Sequence, residues 1–121
     1  MALTGLLLHL NRFKQFNVTL GGTVAEGAMA KIQDTVGVYA SKGDSGDVVS
    51  FIYQAEKITL PKTAATGVTF AAGAKVYYDD SAKAVTNVSS GNSFCGIALE
   101  AAIFSATSLL VELDGAPHRA A

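Results

Sequence analysis

The sequence is poor in several residue types and lacks the common phosphate-binding and zinc-binding motifs. It has no tryptophan, one cysteine, two prolines and two histidines among 121 residues, and only 16% of its residues are charged. The single cysteine, Cys95, cannot form an intramolecular disulfide, and its apolar neighbours predict a buried strand residue. There is no G-x-x-x-x-G-K-[ST] loop to bind phosphates and no H-E-x-x-H pair to bind zinc. We therefore predict no catalytic residue, no metal site and no cofactor, and we expect a protein that is not an enzyme.

The small and balanced charge limits the possible partners. The net charge is −1 and the pI is near 6.0, whereas nucleic-acid binders usually carry a basic patch, so we predict no direct contact with nucleic acid. The N-terminal run MALTGLLLHL is interrupted by His9, is far shorter than a membrane span and lacks a signal-peptide pattern, so we predict no membrane association. Half of the residues are hydrophobic, which in so small a domain indicates a surface partly covered by sister subunits; the alternative is an alanine-rich and valine-rich β domain.

One tetrapeptide matches a known catalytic sequence. Gly43 to Gly46 reads GDSG, as around the nucleophile of chymotrypsin-like serine proteases. Such an enzyme needs an activating histidine and a fold of about twice this length. Here Asp47 stands where those proteases have a glycine, and the only upstream histidine is His9. We interpret the segment as a hairpin turn.

The stretch from Gln54 to Asp80 organises the rest of the prediction. Glu56 to Leu60 alternates polar and apolar residues as in a half-buried strand, and Pro61 ends it because proline cannot donate a backbone hydrogen bond. Thr63 to Thr69 is small and polar, as in a loop. Lys75 to Tyr78 is β-branched and aromatic, which predicts a second strand behind a glycine turn. We expect these two strands to form a central hairpin.

Six further segments have the alternation or apolar character of strands. They are 12–20, 35–40, 48–53, 85–88, 94–102 and 109–113. With turn-forming residues between them, they predict an all-β fold, a small single-domain β-barrel or β-sandwich of about eight short strands.

Several short motifs occur in one order between Gly22 and Leu113. They are Val36-Gly37-Val38, Ile58-Thr59-Leu60-Pro61-Lys62, Ala72-Gly73-Ala74-Lys75-Val76-Tyr77-Tyr78-Asp79, Gly96-Ile97-Ala98-Leu99-Glu100-Ala101-Ala102 and Leu110-Val111-Glu112-Leu113. This order resembles the DUF2190 family of tailed-phage proteins, which are regarded as capsid decoration or cement proteins. The family often has tryptophan where Tyr78 stands, and the residues before about position 20 follow no family pattern. The resemblance also implies a strand over residues 27–32.

The resemblance implies a function as well as a fold. It implies a protein that binds the outer surface of the mature phage head as a homotrimer at three-fold and quasi-three-fold axes, and stabilises it against internal genome pressure. The implied partners are the major capsid protein and further copies of this chain, and the implied location is the outside of the virion. Two alternatives remain open: another virion structural module, such as a tail-tube, head-completion or receptor-binding domain, and a small enzyme or carbohydrate-binding domain.

The sequence divides into three parts. We predict an extended N-terminal arm or edge strand over residues 1–12, a β domain over 13–114 and a flexible C-terminal tail over 115–121. Exposed leucines on an arm need a partner surface, although an ordinary first strand is the alternative. Tyr77 and Tyr78 alternate faces, so one is expected in the core and the other at an interface. The candidate capsid or subunit contacts are Leu3, Leu6, Leu7, Leu8, Leu10 and Tyr78.

Overall fold

The computed structural model of the protein describes residues 12–116, in which eight β-strands form one sheet and no helix occurs. The predicted all-β class and strand number are confirmed. The strands are β1 Phe13–Thr19, β2 Met29–Ile32, β3 Thr35–Tyr39, β4 Val48–Pro61, β5 Lys75–Asp79, β6 Ala84–Thr86, β7 Ser93–Ala98 and β8 Ser108–Asp114.

The sheet curls into a nearly closed barrel. The strand order is β2-β3-β4-β8-β7-β5-β6, every strand pair is antiparallel, and β1 pairs with β4 beside this path. An isolated parallel bridge between Lys62 and Val85 brings β6 back to the end of β4. Of the two architectures that the sequence allowed, the structure therefore has the barrel-like one.

The 14-residue strand β4 joins two segments that the sequence analysis separated. Its first half pairs with β1 and its second half with β8, and the register against β8 shifts between Ala55 and Ile58. At this bulge Glu56 and Lys57 are both exposed, so the alternation breaks although the strand continues. A polar interruption in the sequence therefore marks a bulge and not a strand end.

The predicted central hairpin is wrong, because β4 and β5 are not neighbours. The second half of β4 pairs with β8, and β5 lies between β6 and β7. A tight turn fixes which strands pair, but the long connection over residues 62–74 imposes no such constraint and carries the chain to another part of the barrel. Gly73 does form the expected turn before β5, with φ 92°.

The core follows the alternation of the strands. Inward positions of β3 to β8 supply its fully buried side chains, which are Tyr78, Ile52, Leu60, Leu109, Leu113, Val36, Val38, Val76, Val85, Val111 and Cys95. Phe51 is also fully buried, but it lies outside this cluster and packs against Phe16 and Tyr39. Gly37 in β3 lies where a Cβ atom would be only 2.3 Å from the carbonyl oxygen of Ile52, so the backbone of β4 approaches β3 closely at this glycine. Strand β7 ends at Ala98, four residues earlier than predicted, because Leu99 and Glu100 form a bend.

Candidate interaction surface

The histidine and cysteine side chains, which most often bind metals or act as nucleophiles, form no site in the described part of the chain. His9 and His118 lie outside the described residues, and within residues 12–116 there is no group of three His, Cys, Asp or Glu that could hold a metal ion. Cys95 is fully buried, and burial raises the pKa of its thiol to about 12. The thiol therefore stays protonated at neutral pH and is a poor nucleophile. Over the described part of the chain, no helix exists that could cross a membrane.

The GDSG segment lies in the turn that joins β3 to β4. The backbone N–H of Asp44 donates to Asp47 Oδ2 at 2.8 Å, and Gly46 has φ 92°. A side-chain oxygen that accepts from a nearby backbone N–H and a glycine in the left-handed region are both typical of tight turns. Ser45 is thus a turn residue, as the sequence analysis interpreted it.

The structure places the two tyrosines on opposite sides of β5. Tyr78, which the sequence analysis assigned to an interface, is 1% exposed and packs in the core of its own chain. Its hydroxyl lies 3.2 Å from Asp80 Oδ1, and burial together with the negative charge of Asp80 raises its pKa. Tyr77 is the partly exposed member of the pair, and its ring packs edge-on against Phe94. The predicted division between core and surface is present, with Tyr78 inside.

The arm residues Leu3, Leu6, Leu7, Leu8 and Leu10 lie outside the described residues. The described chain starts at Arg12, whose carbonyl accepts from the N–H of Glu56 at 3.0 Å and whose guanidinium lies 3.5 Å from the Glu56 carboxylate. Both side chains are largely solvated, so this ion pair contributes little to stability. A groove of about 340 Å³ opens beside it, lined mainly by polar residues of β1, β4 and β8.

Lys62 is a buried cation without a carboxylate partner among the described residues. It is 4% exposed, and its Nζ donates to three backbone carbonyl oxygens: Thr63 at 3.0 Å, Phe104 at 3.2 Å and Ala106 at 3.2 Å. Its own N–H donates to Thr107 O at 2.9 Å. Burial lowers the pKa of this ammonium, and the three carbonyl dipoles supply the stabilisation that water would otherwise give.

Lys62 thereby joins two loops at one end of the barrel. Residues 63–74 connect β4 to β5 and residues 99–107 connect β7 to β8, and Phe70 and Ala102 exchange two backbone hydrogen bonds of 3.0 Å between them. Asn87 adds two bonds from its side-chain amide to carbonyls of the first loop, at Gly67 and Thr69. The two loops are therefore fixed to each other by described contacts.

No ionisable side chain occurs in segments 63–74 and 101–109, which we call the uncharged end. Ile103 and Phe104 lie at its tip and are 67% and 51% exposed. Leu99 and Ile97, at the base of the second loop, are also exposed. The nearest charges by sequence are Lys62, Lys75 and Glu100, and of these Lys62 is buried. Exposed apolar side chains thus coincide with a local lack of charge.

The opposite end of the barrel is different in character. The turn over residues 41–47 contains Lys42, Asp44 and Asp47, and the turn over 79–83 contains Asp79, Asp80 and Lys83. Lys83 Nζ lies 2.9 Å from Asp80 Oδ1 in an exposed pair. These two turns therefore carry six charged side chains, whereas segments 63–74 and 101–109 carry none.

The sequence analysis missed this surface. It named Lys62 only as the last residue of a family motif, and it interpreted 63–69 simply as a loop. The available signal was a pair of long segments without charge, one of which contains the adjacent residues Ile103 and Phe104. Nothing in the sequence indicated that the two segments meet, because that contact depends on how β4, β7 and β8 pair.

Comparison with known proteins gives one match. The sequence model of a family described as phage cement protein matches residues 11–113, a range that contains seven of the strands and almost all of the eighth. No curated protein and no solved structure matches the chain.

Proposed function

Because the chain belongs to the phage cement protein family, we propose that it binds the mature head as a homotrimer at three-fold and quasi-three-fold positions and stabilises the shell against the pressure of the packaged genome. Membership of the family makes the protein a structural component that decorates the outer surface of the phage capsid. The trimer, the axes, direct contact with the major capsid protein and the resistance to genome pressure are our proposal.

The observation that carries the proposal is the extent of the family match. It covers residues 11–113 and so includes the described barrel almost completely. The composition adds support, since only 16% of the residues are charged and an exposed apolar end is present. Both features suit a small domain whose surface is shared with other subunits.

The proposed mechanism is physical. A trimer that contacts several capsid subunits adds buried area at each junction of the shell. Each contact needs to contribute only a few kcal/mol, because many linked contacts repeated over a closed shell act through avidity. We further propose that residues 1–12 act as an arm, with Leu3, Leu6, Leu7, Leu8 and Leu10 in contact with the capsid or a neighbouring subunit.

The test has two steps. Light scattering of the purified chain gives its mass in solution, and the protein is then added to expanded heads that lack it and imaged. We expect a mass near three chains, or monomers that form three-fold protrusions on the heads, and decorated heads that release DNA at a higher temperature. A protein that stays monomeric and never joins heads would contradict the proposal and favour a tail, head-completion or receptor-binding role.

A further inference from the structure

We propose that the uncharged end is the surface with which the protein docks on the capsid, and that it meets an uncharged, apolar patch of the shell's outer face. This inference rests on the proposed function and adds to it the part of the barrel that makes the contact. Ile103 and Phe104 are the central contact residues, and Lys62 is a positioning residue that acts through the loop backbone.

The first support is the chemistry of the exposed surface. Isolated exposed apolar residues are common, but Ile103 and Phe104 are adjacent, more than half exposed and part of a segment, 101–109, that has no ionisable side chain. The cores of protein interfaces are depleted in charged residues and enriched in aromatic ones. A complementary site therefore needs neither opposite charges nor a basic or acidic groove.

The second support is the rigid presentation of the loop. Exposed loop tips usually lack fixed contacts, yet the carbonyls of Phe104 and Ala106 are both held by the buried Lys62 ammonium at 3.2 Å. In the same loop, the backbone of Ala102 exchanges two hydrogen bonds with the backbone of Phe70. A loop that is already ordered before binding loses less conformational entropy in the complex, which favours association.

The third support is the position of this surface at a barrel end. Strand β4 runs from Val48, next to the charged turn over 41–47, to Pro61 beside the uncharged end, about 40 Å at the rise of an extended strand. Copies arranged side by side about a symmetry axis direct the same end to the same side. An apolar end can therefore rest on the shell in every subunit, while the sides of the barrel face the other copies.

The starting point of the N-terminal segment agrees with this assignment. Strand β1 begins opposite the middle of β4, at the Arg12 to Glu56 hydrogen bond, and runs away from the uncharged end. From Glu56 to Pro61 the strand covers only about 16 Å, whereas eleven residues can span at most about 36–40 Å. The leucine-rich residues upstream of Arg12 are therefore long enough to reach the same capsid surface.

The test compares charge insertion at the two ends. Ile103→Asp and Phe104→Asp place a carboxylate on the uncharged end, and Val48→Asp places one on a 63% exposed valine at the other end. Binding of each full-length variant to expanded heads that lack the protein is measured by co-sedimentation. We expect at least a tenfold weaker affinity for the first two variants, unchanged affinity for Val48→Asp, and retained binding for Phe104→Leu.

Two controls separate docking from folding and assembly. Thermal unfolding and light scattering should give each variant the melting temperature and mass of the wild type, because the altered side chains are exposed. If wild-type protein binds heads and both aspartate variants bind equally well, the docking surface is overturned while the decoration role stands. If the variants lose their oligomeric mass instead, the uncharged end is a contact between copies, which also overturns the inference. If the wild type itself does not bind, the proposed function fails.

Discussion

At the scale of single residues, two buried ionisable groups serve structure in different ways. Cys95 is enclosed by apolar side chains, which keep its thiol neutral, whereas Lys62 is enclosed by backbone carbonyls that accept its three hydrogen bonds. Burial disfavours the charged form of both groups, so the pKa of the thiol is raised and that of the ammonium is lowered.

Cys95 predicts a loss of stability at alkaline pH. Its pKa is raised from 9.0 to about 12 in the folded chain, so above pH 9 the unfolded chain releases the proton first. The contribution of Cys95 to the free energy of unfolding is complete below pH 9 and falls by about 1.4 kcal/mol per pH unit above it. Chemical denaturation at pH 8, 9 and 10 should show this decline, and Cys95→Ala should reduce its slope.

The comparison with Cys95→Ala is needed because Tyr78 also has a raised pKa, which adds a further loss of stability above pH 10. Equal slopes for wild type and variant between pH 9 and 10 would contradict the prediction. A thiol reagent at pH 8 gives an independent check, since it should modify the protein only after unfolding.

Lys62 predicts a local effect on the second loop. Lys62→Met keeps the length of the side chain but removes the donor from three carbonyl groups. We expect the free energy of unfolding to fall by about 1–3 kcal/mol and amide hydrogen exchange to accelerate over residues 103–107 more than in β4. Lys57→Met is the matched control, because Lys57 lies in β4 but is exposed. Identical exchange in the two variants would mean that Lys62 does not order the loop.

At the scale of strands, close backbone packing depends on a few glycines. Strand β7 bulges against β5 near Gly96, and a Cβ atom at this position would lie 2.1 Å from the carbonyl oxygen of Glu112 in β8. A Cβ atom added to Gly115, just after β8, would lie even closer to the carbonyl oxygen of Val36. The sheet can curl this tightly only because these positions lack a side chain.

Gly96→Ala should therefore be strongly destabilising. The added methyl group meets backbone atoms of a paired strand, which cannot move without breaking the ladder, so we expect a loss of at least about 3 kcal/mol in the free energy of unfolding. Gly21→Ala is the control, because nothing lies within 4 Å of its added Cβ and its φ is not positive. Urea denaturation of both variants gives the comparison, and a similar midpoint for the two would show that β7 and β8 can separate locally.

At the scale of the whole molecule, one end of the barrel has the charged turns over 41–47 and 79–83, and the other is the uncharged end. The first contains the acidic and basic turns, and the second contains the exposed Ile103 and Phe104. In our proposal, this difference gives the protein one surface for the shell and another for solvent.

Removal of residues 1–10 tests the proposed arm on the whole protein. The described barrel begins with β1 at Phe13, so we expect the shortened chain to keep its melting temperature within about 5 °C, which corresponds to about 1 kcal/mol or less. Its binding to expanded heads should weaken. A shortened chain that unfolds would show that these residues form an ordinary first strand of the core, and one that binds normally would remove the arm from the interface.

The sequence by itself determined the all-β class and most of the strands. Alternation identified β1 and β8 within one or two residues, and the turn-forming residues placed the turns at 41–47 and before β5. These are local properties, because the period of side-chain burial and the φ preference of glycine act between near neighbours. The ordered motifs also indicated the family, which the match over residues 11–113 confirms.

Only the tertiary structure decided which strands meet and what lies at the barrel ends. The bulge that makes β4 continuous, the position of β5 between β6 and β7, the burial of Tyr78 rather than Tyr77 and the contact of Lys62 with the loop over 99–107 all depend on long-range pairing. Long loops leave strand pairing open, since many closures cost nearly the same entropy and the choice is made by packing of the complete core.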